Sequence, residues 1–540
     1  MSATFPETRP AHLGRLDWLR RELATSHERR VRMLILICGA ALCVTLSMTL
    51  QVPELATSAY MVFFISKESK TLTTITGALG LICLTIGIGV TLLLYRLTYG
   101  HPELRIPSMA IALFLGMWLS RVLVIGPLGF LLGFIIAVTQ SVGEFFPSPE
   151  RLVRLCLWIW AALGYAVVLT VVLNRLFLPQ PTGPPERLPK PKSLFVPDAF
   201  TNPAHVRFGL KVTLATMVCY IFYMGVDWFG IHTAFITCTF IALESTGATL
   251  RKGILRAVGC VMGGLLALFS IVFLIPHMET IASLVILVAC VSAIAGWVAT
   301  GTERIAYAGL QMAFAFFYGL FPGFQGFAPS TDLHELRDRF IGILLGLTVT
   351  AVVFQYVWPE RAIDRLRDVL REALQQLARL LVIPSPKTPA KEAQAKVEAL
   401  RLEISRELKQ ARREAELANF ESEEPRPRGS VSSGYLKTIL SRAEHVLSLA
   451  TSLSSDSSWQ EWSRLGASAQ SVEFAVRARA AEQLRRAADL VDRGLSPEPV
   501  DLEVSLAAWE REALGVAAND RVRLVRRLVE QMQLQCRFGH

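Results

Sequence analysis

The sequence predicts an all-α, polytopic membrane protein with about twelve transmembrane helices in two six-helix repeats, plus a C-terminal helical cytoplasmic domain. Three observations predict this class. The chain has a mean hydropathy of +0.41 and is 52% hydrophobic, above the roughly 45–50% apolar share of soluble proteins. Its apolar runs approach the roughly 20 residues that a helix needs to cross a bilayer. Its polar, charge-rich stretches are concentrated after residue 360.

The first repeat is predicted over residues 31–179, after a cytoplasmic N-terminal segment of residues 1–30 that lacks the pattern of a cleavable signal. In that segment, Leu16, Leu19 and Leu23 with nearby arginines are compatible with a short amphipathic helix on the inner leaflet or with a plain cytoplasmic leader. Spans are predicted near residues 31–51, 54–66, 72–95, 106–121, 122–140 and 152–175.

A second repeat is predicted over residues 207–359. It follows a Pro-rich, polar segment, residues 180–206, which predicts an extended cytoplasmic linker. Spans are predicted near 207–226, 230–243, 252–275, 280–299, 303–321 and 337–357. Thr57 to Ser69 aligns with Thr233 to Ser245 at an offset of 176. Because each unit has an even number of spans, the repeats are predicted to share one orientation, related by an axis along the membrane normal.

The distribution of charge predicts the topology. If both termini are cytoplasmic, 20 Lys and Arg of residues 1–360 lie inside and 6 outside, as the positive-inside rule requires. The net charge of +10 also lies mainly here, with 26 Lys and Arg against 19 Asp and Glu, whereas residues 361–540 hold 29 against 26. Membrane topology therefore accounts for the positive charge, and no nucleic-acid partner is predicted.

Residues 360–540 are predicted to form a cytoplasmic helical domain. Apolar residues recur at helical spacing from Ile363, Val397 and Leu436 onward, and further helices are predicted near 457–493 and 501–535. Residues 420–434 read as a charged linker rich in Pro, Gly and Ser. The alternating arginines and glutamates predict a solvated surface rather than a binding patch.

Motifs for enzymatic chemistry are absent from the sequence. There is no G-x-x-x-x-G-K-[ST] phosphate loop, no H-E-x-x-H, no G-x-S-x-G and no paired Cys/His cluster. Eight of the nine cysteines lie in or beside apolar runs without C-x-x-C spacing. The prediction is a protein that is not an enzyme or, by itself, an ATP-driven pump, with no cofactor and no metal site.

Residues 244–269 combine a basic segment with an apolar helix. Gly259 and Gly263 are four residues apart, as are Gly342 and Gly346 in the closing span. Glycines at this spacing let two transmembrane helices pack closely, because no side chain separates their backbones. We therefore predict helix contacts at both pairs.

Ionisable and polar residues in or beside the spans are the candidates for a substrate or ion pathway, because charge is unfavourable in hydrocarbon. Arg256 lies one turn deeper than Lys252; it could hold a carboxylate with two donors, or extend to lipid phosphates. Gln311 lies in mid-span and could serve a substrate or bond between helices. The remaining candidates lie near span ends, where a role in fixing topology explains them equally well; they are Lys67, Glu68, Arg154, Glu244, Arg251 and Arg339.

Three stretches carry a resemblance to a known family. Ala248 to Arg251 with Arg256 to Gly263, Ala306 to Phe316, and Arg337 to Pro359 resemble the membrane signature of the fusaric acid resistance and aromatic acid exporter family. The resemblance covers residues 200–360 well and residues 30–180 more faintly. These stretches contain no catalytic residues.

The resemblance implies an inner-membrane, multi-pass transporter that exports aromatic or other amphipathic organic acids or drugs. It also implies work with a periplasmic adaptor and an outer-membrane channel. Because no nucleotide site is present, the proton gradient is the expected energy source, with Glu68 or Glu244 as proton carriers.

Two other functional classes stay open. One is a passive organic-anion channel, as in the similar plant malate channels, and the other is a non-transporting membrane scaffold. The bilayer and a small organic anion are the expected contacts, and a homo-oligomer is compatible with the sequence.

Overall fold

The computed structural model describes residues 26–146, 148–179, 193–321, 328–383, 390–421, 432–491, 506–507, 509 and 519–536. These residues form helices and no strand, apart from one isolated bridge between Leu123 and Phe195. The predicted N-terminal amphipathic helix, most of the Pro-rich linker and most of the 420–434 linker lie outside the described residues.

Twelve apolar helices lie between residues 27 and 356 of the described chain. They are α1 His27–Leu50, α2 Leu55–Ile65, α3 Lys70–Thr98, α4 Pro102–Val122, α5 Gly126–Ser141, α6 Pro149–Phe177, α7 Pro203–Gly225, α8 Thr233–Ile241, α9 Thr246–Phe269, α10 Ile281–Ala299, α11 Ala306–Leu320 and α12 Leu333–Tyr356. Polar residues in the connecting turns begin several of them: Ser69, Ser148 and Thr280 each accept a hydrogen bond from a first-turn amide.

Nine of these helices are long and apolar enough to cross a membrane, α5 when the 3₁₀ turn that follows it to Phe145 is included. This is the architecture of a polytopic membrane protein. The three shorter apolar ones are α2, α8 and α11. The 11 residues of α2 rise only about 16 Å, against a hydrocarbon core of about 30 Å. Every predicted span falls on a helix, while a full count of twelve crossings stays a prediction.

Helix pairing follows the same order in the two halves. Within the first half α1 packs on α2, α2 on α6 and α4 on α5; within the second half α7 packs on α8, α8 on α12 and α10 on α11. Between the halves, α1 packs on α10 and α4 on α7. Two repeats related by a two-fold axis would produce this pairing, and the repeat itself stays a prediction.

The described residues divide into two compact units. One comprises Met1–Glu244 and Lys252–Trp358, and the other comprises Ser245–Arg251 and Pro359–His540. The start of α9 therefore belongs to the second unit, an assignment that the sequence pattern did not predict.

The second unit is built from helices with one strongly apolar face each. They are α13 Ala362–Val382, α14 Ala390–Leu417, α15 Ser433–Leu453, α16 Asp456–Arg464, α17 Ala467–Leu490 and α18 Asn519–Cys536. Leu366, Leu370 and Ile404 are fully buried in its core. The apolar spacing thus correctly predicted α13, α14 and α15.

Charged groups inside the second unit are paired. Arg521 donates to both carboxylate oxygens of Glu473 at 2.8 and 2.7 Å. Glu421 Oε1 accepts hydrogen bonds from the backbone amides of Gly247, at 3.0 Å, and Ala362, at 2.6 Å. This one carboxylate therefore caps the first turns of both α9 and α13.

A group of glutamates lies between α13 and α14. The amide of Gln376 donates to Glu407 at 2.7 Å and to Glu372 and Glu403 at longer distances. Burial, and then the charges of Glu372 and Glu403, raise the pKa of Glu407.

Candidate functional site

The candidate site lies where α9 and α11 pack with no side chain between them. A Cβ added to Gly259 would overlap the carbonyl oxygen of Ala308, and one added to Gly263 would overlap that of Met312. Only glycine permits so close an approach. The contact places the basic face of α9 against one face of α11.

The second glycine pair makes a similar contact between α12 and α8. A Cβ added to Gly346 would be 2.8 Å from the carbonyl oxygen of Ala234, and one added to Gly342 would overlap the hydroxyl of Thr233. Because α8 also contacts α9 through Thr237, the two glycine contacts hold α8, α9, α11 and α12 together around one set of polar side chains.

Arg256 is the centre of that set and is 1% exposed. Its Nη1 donates to Gln311 Oε1 at 2.5 Å, and its Nε donates to Thr237 Oγ1 at 3.3 Å. The guanidinium carbon lies 5.2 Å from the centre of the Phe314 ring, within the range of a cation–π contact. Arg256 and Gln311, selected separately from the sequence, are thus direct partners.

Several donors in this place lack an acceptor. Among the residues that the structure describes, Arg256 Nη2, Gln311 Nε2 and the Tyr307 hydroxyl have no hydrogen-bond partner, although all three are buried. No carboxylate of the described chain lies within salt-bridge distance of Arg256. A buried guanidinium and buried donors without acceptors are unfavourable by themselves. An anion bound beside Arg256 would offer an acceptor to its Nη2.

Three cations from α9 and α12 contact aromatic rings on one face of α11. Lys252 Nζ lies 5.1 Å from the Tyr307 ring, and the Arg339 guanidinium lies 5.2 Å from the Tyr318 ring. Phe314 and Tyr318 contact each other with ring centres 4.7 Å apart. We call this set the cation ladder, and its members are Lys252, Arg256 and Arg339 with Tyr307, Gln311, Phe314 and Tyr318. The four α11 residues are spaced by four, three and four positions and so share one helix face.

A cavity of about 400 Å³ opens beside the ladder, between α9 and α12. Its walls are mainly apolar, and Phe314, Tyr318 and Arg339 line it together with Arg337. This volume is within the range of small-molecule pockets, which are mostly apolar with a few polar groups that fix orientation. An aromatic body with one negative group fits that chemistry.

Four of the other sequence candidates have partners outside the ladder. Lys67 Nζ donates to the carbonyl of Phe64 at 2.8 Å. Glu68 pairs with Arg32 at 3.1 Å and its side chain is 83% exposed; Glu244 pairs with Arg121 and its side chain is 58% exposed. Arg154 pairs with Glu150 one turn away. Arg251 is half-buried and belongs to the second unit.

Sequence reasoning missed a buried acid. Glu54, in the turn before α2, is only 4% exposed. Its Oε2 accepts from Thr57 Oγ1 at 3.0 Å, and that hydroxyl lies 2.8 Å from the hydroxyl of Tyr318 in the ladder. From the sequence, a glutamate in a polar turn is expected to be exposed. In the structure, its backbone is left-handed, with φ 66°, which is uncommon for a residue other than glycine.

Comparison with known proteins matches residues 204–422 to the fusaric acid resistance protein family. Multidrug resistance protein MdtO of Escherichia coli O6:H1 (strain CFT073) is 39% identical over 204 residues, which cover 38% of this chain and 29% of the relative. The MdtO proteins of Shigella flexneri and Escherichia coli K12 are 39% and 38% identical over the same length. The match thus spans less than a third of the length of these relatives.

The matched segment contains all seven residues of the cation ladder and both glycine pairs. Residues 204–422 of this chain are therefore similar to the fusaric acid resistance protein family.

Proposed function

We propose that this chain is an inner-membrane efflux transporter that exports aromatic or other amphipathic organic anions. One observation carries the proposal: Arg256 is buried with no carboxylate partner in the described chain, and unpaired donors of Gln311 and Tyr307 lie beside it. An organic anion would supply the missing acceptor, while Phe314 would contact its apolar part.

The ladder suggests the route. Lys252, Arg256 and Arg339 succeed one another along the face of α11, so that an anion released by one cation meets the next. Such sites must bind strongly enough to admit the anion and weakly enough to release it. The multidrug resistance names of the relatives support export as the direction.

In this proposal both termini are cytoplasmic and the proton gradient drives transport. The substrate passes to a periplasmic adaptor and an outer-membrane channel, since the resemblance implies that arrangement. Single cysteines placed in residues 183–192 and after residue 361 test the topology. They should resist an impermeant thiol reagent added outside intact cells, and labelling at either place would reverse the orientation.

Uptake of a labelled aromatic acid into inverted membrane vesicles tests the activity. We expect uptake above the level of vesicles without the protein, and faster uptake when an inward-acidic pH gradient is imposed. Voltage-dependent current without a proton requirement would instead identify a passive channel. A scaffold would be indicated if substitutions at Arg256 and Gln311 are silent while truncation after Pro359 abolishes function in cells.

A further inference from the structure

Glu54 is a buried carboxylate at the end of the cation ladder. It precedes α2 and adopts a left-handed backbone conformation with φ 66°, which is unfavourable for a residue other than glycine and persists only when surrounding contacts impose it. Its Oε1 is buried and has no hydrogen-bond partner among the described residues. An ionisable group in this position within a membrane protein marks a functional site.

A chain of hydroxyl groups connects this carboxylate to the ladder. Thr57 Oγ1 donates to Glu54 Oε2 at 3.0 Å and lies 2.8 Å from the hydroxyl of Tyr318, whose ring lies 5.2 Å from the Arg339 guanidinium. Glu54 and Arg339 are outside salt-bridge distance but close enough to interact electrostatically. Glu54 therefore influences Arg339 without blocking its donors.

The other titratable groups around this pair are few in the described part of the chain. From α12, Glu335 also faces Arg339, and His232 faces Arg339 from the turn before α8. From α11, Tyr318 faces both Glu54 and Arg339. Among the described acids beside the ladder, Glu54 is thus the buried one.

We propose that Glu54 is a proton-binding site whose occupancy is linked to anion binding at Arg339. This inference rests on the proposed organic-anion transport and concerns binding alone: a proton that favours anion binding is not the one exchanged for the anion, so Glu54 sets the anion affinity and does not drive export. When Glu54 is ionised, its charge partly neutralises Arg339 and repels an incoming anion. When a proton from the aqueous phase binds the carboxylate, that repulsion ends and Arg339 attracts the anion fully. Because linkage is reciprocal, a bound anion raises the affinity of Glu54 for its proton by the same factor.

The test is the affinity of the purified full-length protein in lipid nanodiscs for radiolabelled naphthalene-2-sulfonate. This aromatic anion stays ionised throughout, so a pH effect on binding belongs to the protein. Between about pH 5 and about pH 9, where buried carboxyl groups titrate, the wild-type Kd should rise by roughly 5- to 150-fold. Glu54→Gln should keep the tight, low-pH affinity throughout, because its side chain is permanently neutral.

Two further variants make the result specific. Glu103→Gln is the matched control, since its side chain is 66% exposed, and it should retain the full pH dependence. Thr57→Val keeps the carboxyl group but removes a donor to its ionised form, so the pH dependence should persist with its midpoint at higher pH. This second variant tests the linkage even if Glu54→Gln does not fold.

The outcomes separate the two proposals. Wild-type binding that does not change with pH, or a Glu54→Gln variant that changes like the wild type, overturns the linkage and leaves organic-anion binding intact. No wild-type binding at any pH overturns the organic-anion site, and the linkage with it.

Discussion

Replacing Arg256 with lysine is the sharpest test of the anion site, because it keeps the charge and removes the planar fork of donors. In the structure, Nη1 and Nε are already engaged by Gln311 at 2.5 Å and Thr237 at 3.3 Å, so Nη2 is the donor left for a ligand. A single ammonium group cannot reach all three positions. The variant should therefore lose one charge-assisted hydrogen bond to the ligand.

The expected magnitude follows from that one bond. Hydrogen bonds to charged groups contribute about 1.5–3 kcal/mol, which corresponds to roughly a 10- to 150-fold increase in Kd. The assay is the naphthalene-2-sulfonate affinity of Arg256→Lys in nanodiscs at low pH. Arg207→Lys, at an exposed position on α7, is the matched control and should leave Kd within about twofold.

If Arg256 has only a structural role, substitutions around it should change stability and not ligand affinity. Thr237→Val removes the hydrogen bond to Nε and the bond from its own hydroxyl to the carbonyl of Thr233, so it should lower thermal stability slightly and leave Kd unchanged. If Arg256→Lys binds the anion as tightly as the wild type, Arg256 serves to anchor helices and the reasoning from unpaired donors is wrong.

Three further predictions concern packing, pH and the second unit. Gly259→Leu should abolish assembly or transport, because the leucine side chain would overlap the facing helix. The control Gly89→Leu should be tolerated, because nothing lies within 4 Å of a Cβ added there. Both variants are compared by expression level and size-exclusion profile, and equal behaviour would contradict close packing at Gly259. Burial and neighbouring carboxylates raise the pKa of Glu407 above its usual 4.5, so protonation of Glu407 favours folding, and this stabilisation is lost as the pH rises through the folded-state pKa. Glu407→Gln should therefore raise the melting temperature more at pH 7 than at acidic pH. The control Glu530→Gln, at an exposed site, should not show this difference. Glu421→Ala should destabilise the protein by about 0.5–2 kcal/mol for each helix start that it caps, measured as a lower melting temperature, and an unchanged melting temperature would show that water replaces the carboxylate.

The local sequence pattern determined the positions of the helices and the choice of several candidate residues. The apolar runs placed every helix from α1 to α12 within a few residues, because a span needs a minimum apolar length and polar turns interrupt it. The same pattern singled out Arg256 and Gln311, because polar groups are rare where hydrocarbon surrounds the helix. The glycine spacing predicted two helix-packing faces, because glycines four residues apart lie on the same side of a helix and have no side chain to separate it from a neighbour.

Tertiary structure decided which of these groups meet. Arg256 and Gln311 are 55 positions apart. The local sequence does not show that α9 packs on α11 with these two side chains facing each other. Glu68 and Glu244 appeared as plausible as any acid, yet they lie exposed in ion pairs, while Glu54 is buried. The exposure of a carboxylate in a turn depends on the helices that fold over it, here α11 and α12, which follow it by more than 250 residues. Long-range packing, rather than composition, therefore sets which acid can titrate beside the cations.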